Sequence, residues 1–109
     1  YIIRHGERVD HVDRNWAATA KYPADPPLTD RGHKQASEVG SFLASLPPQD
    51  RPTLLLASPF YRTLQTAAGI STKLDLPIRP EFGAMEWLNR VWFGDFADFP
   101  AALLRPTAE

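Results

Sequence analysis

The stretch TLLLASPFYRTLQTAA, residues 53–68, changes its pattern halfway and thereby indicates the fold class. Its first part, Thr53–Ala57, is a short apolar run between a proline and a Ser-Pro pair, and its length favours a buried strand over a helix. After the Ser-Pro pair the apolar residues recur at helical spacing, which predicts a helix from about Phe60 to Lys73. The stretch therefore predicts a strand followed directly by a helix.

The same alternation continues on both sides of this stretch. Upstream, Tyr1–Ile3 looks like the end of a buried strand, and a helix is predicted to begin after its cap residue Thr29 and to end before Pro47. Downstream, Ile78–Pro80 is a short extended piece. Strand, helix, strand, helix, strand is typical of an α/β domain with a largely parallel sheet and flanking helices.

Two segments show no sustained period. Residues 7–27 are polar and rich in proline, and they predict a long loop with at most a short helix around Asn15–Ala20. Loops of this length inside compact domains tend to be functional. Residues 88–109 are rich in aromatic side chains, and three interpretations stay open for them: a lid, part of a core, or an interface.

Composition excludes several classes of function. The 109 residues include no cysteine, so a disulfide framework, a cysteine zinc site and a thiol nucleophile are all excluded. The net charge of -1 gives no electrostatic footprint for nucleic acid or an anionic membrane, and no apolar run approaches the ~20 residues that span a bilayer. We therefore expect an intracellular protein, cytoplasmic or nuclear, with no nucleic-acid partner recognised by charge and no membrane partner.

The pentapeptide Arg4-His5-Gly6-Glu7-Arg8 follows the first predicted strand directly. An imidazole has an unperturbed pKa of about 6.5, so a ring nitrogen can be neutral near physiological pH and can attack phosphorus. Guanidinium groups on either side can hold phosphoryl oxygens bidentately, and the glycine lets the backbone turn tightly or approach a bound group. The pattern indicates a phosphate site, and a polar turn after a strand is its alternative.

The order of polar residues along the chain supports a single site. His5 follows the first predicted strand, Arg62 follows the second in the first turn of a helix, and Glu86 follows the third. Because ligands bind at the carboxyl ends of parallel strands, we expect these three side chains on one rim. Ser58 is expected to cap the second helix and to lie near the pocket, but not to act as a nucleophile, since no base is indicated for it.

The other two histidines carry a weaker signal. His33 is expected to be an ordinary surface residue of the first long helix. His11, together with Asp10 and Asp13, suggests a metal site, but the spacing matches no standard ligand set. We predict no metal.

Four blocks of the sequence, in this order, resemble the histidine phosphatase superfamily, also called the phosphoglycerate mutase-like family. They are RHGER at residues 4–8, LTDRGHKQA at 28–36, ASPFYRTLQTA at 57–67 and MEW at 85–87. Their residue types are more similar to the protein-tyrosine-phosphatase-like members that suppress T-cell receptor signalling, and to related fungal proteins, than to glycolytic mutases.

The resemblance implies a role for each matching residue. His5 would attack the phosphoryl group and carry it as a phosphohistidine. Arg4, Arg8 and Arg62 would bind the phosphoryl oxygens, and Glu86 would protonate the leaving oxygen. The implied protein is a histidine-type acid phosphatase that hydrolyses phosphomonoesters, either small molecules or phosphoproteins, without a metal or an organic cofactor.

The sequence departs from the family's pattern at one important place. Family members carry a second catalytic histidine after a later strand, and neither His11 nor His33 matches that position. We therefore expect residues 1–109 to be the N-terminal part of a single, incomplete domain. Two alternatives remain: a catalytically weak or inactive interaction module, such as a transcription factor subunit, and a mutase-like phosphotransferase, which Arg8 disfavours because mutases usually have Ser or Gln there.

Overall fold

A computed structural model describes residues 1–86 of the chain, in which two strands form a parallel sheet beside a pair of long helices. Leu55 lies opposite Ile78 in the sheet, and Ala57 lies opposite Pro80. The predicted α/β class with a parallel sheet and flanking helices is confirmed. In chain order the elements are α1 (Val9–Val12), α2 (Trp16–Thr19), α3 (Asp30–Ser45), a 3₁₀ turn (Pro48–Asp50), β1 (Leu55–Ala57), α4 (Tyr61–Leu74), β2 (Ile78–Pro80) and a second 3₁₀ turn (Phe82–Ala84).

The ends of the two long helices follow from local chemistry. The Thr29 side chain accepts a hydrogen bond from the Gly32 amide at 3.0 Å, so the predicted cap of α3 is confirmed. Helix α3 ends at Ser45, and its C-cap residue Leu46 directly precedes a pair of prolines that cannot continue the helix. Helix α4 ends at Leu74, and its C-cap residue Asp75 adopts a left-handed conformation with φ of 54°.

Helices α3 and α4 pack closely because small residues face each other where they meet. A Cβ atom on Gly69 would lie 2.8 Å from the Cβ of Ala36, and one on Gly40 would lie 2.9 Å from the carbonyl oxygen of Gly69. The two backbones can approach this far only with glycine at these positions. The apolar core of the described residues lies around this contact and consists of Leu28, Ala36, Leu43, Ala57, Phe60, Ala67 and Ile70.

The prediction of a buried strand at Tyr1–Ile3 is wrong for the structure of residues 1–86. This segment has no strand assignment, and Ile2 is fully exposed. A strand requires a neighbour with which to exchange backbone hydrogen bonds, and the described sheet contains only β1 and β2. An apolar, β-branched sequence therefore did not suffice to form a strand here.

The strand predicted at Thr53–Ala57 is present but shorter and more exposed than expected. It spans Leu55–Ala57, and of these three residues Ala57 alone is buried. Leu54 and Leu56 are each more than half exposed. Phe42 of α3 is also exposed.

The loop over residues 7–27 contains two short helices. Helix α2 confirms the short helix predicted around Asn15–Ala20, whereas α1 was not predicted. Backbone hydrogen bonds close the base of this loop, from the Val9 amide to Pro27 at 3.0 Å and from the Thr29 amide to Glu7 at 2.9 Å. Residues 88–109, for which three interpretations stayed open, lie outside the described part of the chain.

None of the helices described within residues 1–86 combines the length and the apolar character that crossing a membrane requires.

Candidate active site

The segment that carries His5 rests on the first turn of α3 through direct backbone contact. A Cβ atom on Gly6 would lie 2.5 Å from the carbonyl oxygen of Gly32, and a Cβ atom on Gly32 would collide with the carbonyl oxygen of Glu7. The close approach that was expected for Gly6 therefore occurs toward α3 within the protein. Both glycines are needed for this packing, because either side chain would separate the two segments.

Side chains of both long helices hold the same segment. The amide of Gly6 donates to the Thr66 hydroxyl of α4 at 3.1 Å, and the amide of Glu7 donates to the Gln35 side chain of α3 at 2.9 Å. Thr66 is itself buried, and its hydroxyl donates to the carbonyl of Arg62 at 2.8 Å. The position of His5 is thus determined mainly by the helix pair.

A hydrogen bond to the backbone determines the tautomer of the His5 imidazole. Its Nδ1 lies 2.8 Å from the carbonyl oxygen of Gly6, which can only accept a hydrogen bond, so in the neutral ring Nδ1 carries the proton. The other ring nitrogen, Nε2, then keeps its lone pair. Partial burial lowers the pKa of His5 below 6.5, and the positive charges of Arg62, Arg8 and Arg4 act in the same direction against the Gly6 hydrogen bond. The ring is therefore neutral at physiological pH.

Arg62, in the first turn of α4, is buried with only 2% of its surface exposed. Its Nη2 lies 3.1 Å from Oε1 of Glu86, and its Nη1 lies 3.9 Å from Oδ1 of Asp25. The guanidinium also stacks on the ring of Phe60 at 4.2 Å. Burial lowers the pKa of Arg62, while the charges of Glu86 and Asp25 oppose that shift. Among residues 1–86 its Nε has no hydrogen-bond partner, so one donor remains available.

A cavity of about 520 Å³ brings most of the predicted site residues together. Arg4, His5, Ser58, Arg62 and Glu86 all line it, and the rest of the lining is largely apolar. The expectation that three successive strand ends would supply one site thus agrees with their observed placement, although Tyr1–Ile3 forms no strand.

Arg8 lies outside the lining of this cavity. Its guanidinium is paired with Asp10, with Nε 2.9 Å from one carboxylate oxygen and Nη2 2.5 Å from the other. From this position its charge still acts on the imidazole of His5 and on Arg62.

The expectation that Ser58 caps α4 is wrong. The helix begins after Phe60, whose side chain has no hydrogen-bonding group, and the amide of Tyr61 donates to Asp25 at 2.8 Å. Asp25 comes from the long loop and is fully buried. Ser58 instead accepts a hydrogen bond at its carbonyl from the Thr63 hydroxyl at 2.6 Å, and its own hydroxyl is buried without a partner in the described part of the chain.

Sequence reasoning did not identify Asp25 as a site residue. A cap supplied from a distant loop leaves no local pattern, because the capping residue and the helix are separated by more than thirty positions. His11 and His33 are exposed, as expected for His33, and no group of three possible metal ligands occurs within residues 1–86.

Comparisons with known proteins agree with this arrangement. A family model described as the histidine phosphatase superfamily (branch 1) matches residues 1–104. The chain is 39% identical over 94 residues to the transcription factor tau 55 kDa subunit of Saccharomyces cerevisiae, a match that covers 80% of this chain and 20% of that protein. It is 34% identical over 119 residues to ubiquitin-associated and SH3 domain-containing protein A of Mus musculus, with 81% of this chain and 19% of that protein covered.

A solved structure is similar to this chain in both fold and sequence. The ecdysone phosphate phosphatase of Bombyx mori, in complex with tungstate, has a TM-score of 0.63 and 27% identity, and the match covers 79% of this chain and 44% of that one. The chain thus spans about a fifth of the two curated relatives and less than half of the solved phosphatase. With nearly the whole chain matched by the family model and the motif residues His5, Arg62 and Glu86 on one cavity, the chain belongs to the histidine phosphatase superfamily.

Proposed function

We propose that the protein hydrolyses phosphomonoesters through a phosphohistidine on His5. The observation that carries this proposal is the placement of the His5 imidazole, whose Nδ1 faces the Gly6 carbonyl and so leaves Nε2 for attack, in the same cavity as the buried cation Arg62 and the side chain of Glu86. A nucleophile, a phosphoryl-binding cation and a proton donor are the groups that phosphoryl transfer to an enzyme residue requires.

The reaction has two steps. Nε2 of His5 attacks phosphorus and forms a P–N bond while the ester P–O bond breaks, and the leaving oxygen takes a proton from Glu86. Water then attacks the phosphohistidine and gives up a proton to the Glu86 carboxylate, and the P–N bond breaks to release inorganic phosphate. His5 and Glu86 return to their starting states, so the reaction needs no metal or organic cofactor.

The positive charge of the site stabilises the transferred group. Arg62 offers a buried guanidinium, and Arg4 lines the same cavity. Arg8 is paired with Asp10 outside the cavity lining, and from there its positive charge also acts on the site. In a partly buried site these fixed charges act on the developing negative charge more strongly than they would in water.

Glu86 changes partners in this mechanism. Without substrate its carboxylate pairs with Arg62, and about half of its side chain is exposed. A phosphoryl group that binds Arg62 competes with Glu86 for the same cation and brings negative charge beside it. Released from Arg62 and next to the bound phosphoryl group, the carboxyl group of Glu86 lies where it can pass a proton to the leaving oxygen.

Similarity to a phosphatase solved with tungstate supports this function, because tungstate is a tetrahedral oxyanion like phosphate. The substrate class is a phosphorylated small molecule or a phosphoprotein. A location inside the cell, in the cytoplasm or the nucleus, remains a prediction from the absence of cysteine.

The experiment that tests the proposal is hydrolysis of p-nitrophenyl phosphate by the full-length protein. We expect His5→Ala to lower kcat/KM by at least about a thousandfold, since the nucleophile is lost. His33→Gln is the matched control, because His33 is exposed on α3, and it should retain the activity of the wild type. Equal activity of His5→Ala and the wild type would overturn the proposal.

A second candidate is an interaction module with little or no catalytic activity. Identity of 39% to a transcription factor subunit favours it. A module predicts that the folded wild-type protein shows no turnover and that His5→Ala leaves binding to its protein partner unchanged. A mutase-like phosphotransferase, the third possibility, predicts transfer of phosphate to an acceptor alcohol faster than transfer to water.

A further inference from the structure

Two carboxylates flank the guanidinium of Arg62, and they differ sharply in their surroundings. Asp25 is completely buried, with an exposure of 0%, whereas 48% of the Glu86 side chain is exposed. Glu86 makes the shorter contact, at 3.1 Å against 3.9 Å. The more distant partner is therefore the more enclosed one.

Asp25 is held in place independently of Arg62. The same Oδ1 that lies 3.9 Å from Arg62 accepts a hydrogen bond from the amide of Tyr61 at 2.8 Å. Tyr61 is the first residue of α4, so Asp25 supplies the cap that Phe60 has no group to supply. Arg62 is the next residue, so the same carboxylate oxygen caps the helix and lies beside the guanidinium of Arg62.

A buried arginine needs a permanent counter-ion. Removing a guanidinium from water is costly unless negative charge compensates it, and among residues 1–86 Asp25 and Glu86 supply that charge within 4 Å. A phosphoryl group that takes Nη2 of Arg62 together with the unpartnered Nε displaces Glu86, whereas Asp25 can stay because it is fully buried at the start of α4.

We propose that Asp25 is a positioning residue, the fixed counter-ion of Arg62, which leaves Glu86 as the exchangeable one. The inference rests on the proposed function, since it assigns Arg62 to the phosphoryl group. When Glu86 leaves Arg62, Asp25 still orients the guanidinium and compensates its positive charge. The exchange of Glu86 for an oxyanion therefore costs little free energy.

The substitution Asp25→Asn tests the charge while it preserves the cap. The asparagine side chain would keep an oxygen for the Tyr61 amide but would leave Glu86 as the remaining described carboxylate near Arg62. The pair Arg62–Glu86 then strengthens, and an incoming oxyanion must break it. Oxyanion binding therefore weakens even though one negative charge has left the neighbourhood of the site.

The experiment measures tungstate affinity of the full-length protein by calorimetry, with the melting temperature recorded for each variant. We expect Asp25→Asn to weaken tungstate binding about tenfold, which corresponds to about 1.4 kcal/mol. Adding Glu86→Gln to Asp25→Asn should restore most of the affinity. Asp13→Asn, at an exposed residue of the same loop, is the matched control and should bind as the wild type does.

Two further variants separate this inference from the proposed function. Glu86→Gln alone, with Asp25 in place, should bind tungstate several times more tightly than the wild type, and this test holds even if Asp25→Asn does not fold. Arg62→Ala should weaken binding, and adding Asp25→Asn to it should have no further effect on affinity.

Several results would overturn the inference. If Asp25→Asn binds tungstate as tightly as the wild type, or more tightly, while only its melting temperature falls, Asp25 is purely structural. Weaker binding by Glu86→Gln would likewise show that Glu86 is not exchanged. After either result, a loss of tungstate affinity in Arg62→Ala would leave the proposed function standing. A wild-type protein that does not bind tungstate would overturn both the inference and the proposed function.

Discussion

The two sides of helix α4 differ in how completely they are packed. On the side of α3, glycines and Ala36 bring the helix backbones into close contact and the core residues are buried. On the side of the sheet, a cavity of about 520 Å³ is lined by α4, by β1 and by the N-terminal segment, in which Ile2 is fully exposed.

This difference shows which part of the molecule determines the site. The segment of His5 is bonded to Thr66 and Gln35, which belong to the helix pair, and Arg62 itself lies on α4. No comparable side-chain contact in residues 1–86 ties His5 to β1 or β2. The geometry of the site should therefore respond strongly to changes at the helix interface and weakly to changes on the exposed sheet face.

The largest effect is expected at Gly32. In Gly32→Ala the new Cβ would collide with the carbonyl oxygen of Glu7, so the segment of His5 must move away from α3. We expect the free energy of unfolding to fall by about 3 kcal/mol, at the upper end for overpacking, despite the better helix propensity of alanine. Urea denaturation measures this change, and tungstate affinity should fall with it.

Ser41→Ala is the control for that experiment, because Ser41 is exposed on the same helix. It should leave stability and tungstate affinity close to those of the wild type. An equally small effect of Gly32→Ala would mean that the helix pair does not determine the position of His5.

A smaller effect is expected from pH, and it sharpens the comparison by reporting on the packing around His5. Since burial lowers the pKa of His5, the attacking neutral form persists below pH 6.5, and the acidic limb of kcat/KM should have its midpoint below that value. The free energy of unfolding also decreases toward acidic pH. Below pH 6.5 the unfolded chain binds a proton at His5 that the folded chain does not bind. The contribution of His5 to stability is therefore lost as the pH falls through its lowered pKa.

The pH dependence of kcat/KM for p-nitrophenyl phosphate checks this prediction. Gly32→Ala, which loosens the contact beneath His5, should move the acidic midpoint back toward 6.5. A midpoint above 6.5 in the wild type would show that burial and the neighbouring arginines do not control the imidazole.

The smallest effect is expected on the sheet face. Arg79→Ser replaces an exposed side chain of β2, opposite Leu56 in the sheet and outside the cavity lining, so it should change the free energy of unfolding by no more than about 0.5 kcal/mol and leave kcat/KM unchanged. Thermal or urea denaturation together with the hydrolysis assay measures both. A loss of several kcal/mol would show that this face is covered in the full-length protein and that the two sides of α4 are more alike than residues 1–86 indicate.

Features set by neighbouring residues could be predicted from the sequence. The cap at Thr29 and the helix stop at a proline pair depend on a few adjacent positions, and both were predicted correctly. The grouping of His5, Arg62 and Glu86 was also predicted, because the order of polar residues after apolar runs carries that information. Their catalytic roles remain predictions.

Features that depend on distant partners could not be predicted. Tyr1–Ile3 has a strand-like sequence, but a strand needs a hydrogen-bonding neighbour, which the segment itself does not specify. The cap of α4 was assigned to Ser58, the nearest suitable residue, whereas Asp25 reaches it from the long loop. In both cases the decisive contact joins positions far apart in the chain, where periodicity and local propensity carry no information.

The most direct test of the central claim is to trap the intermediate. Full-length protein is mixed with an aryl phosphate, quenched in alkali, where phosphohistidine is stable, and its peptides are analysed by mass spectrometry. We expect a phosphoryl group on the peptide that contains His5, and we expect both this group and turnover to be lost in His5→Ala. Turnover without a phosphorylated His5, or a phosphoryl group on another residue, would contradict the central claim.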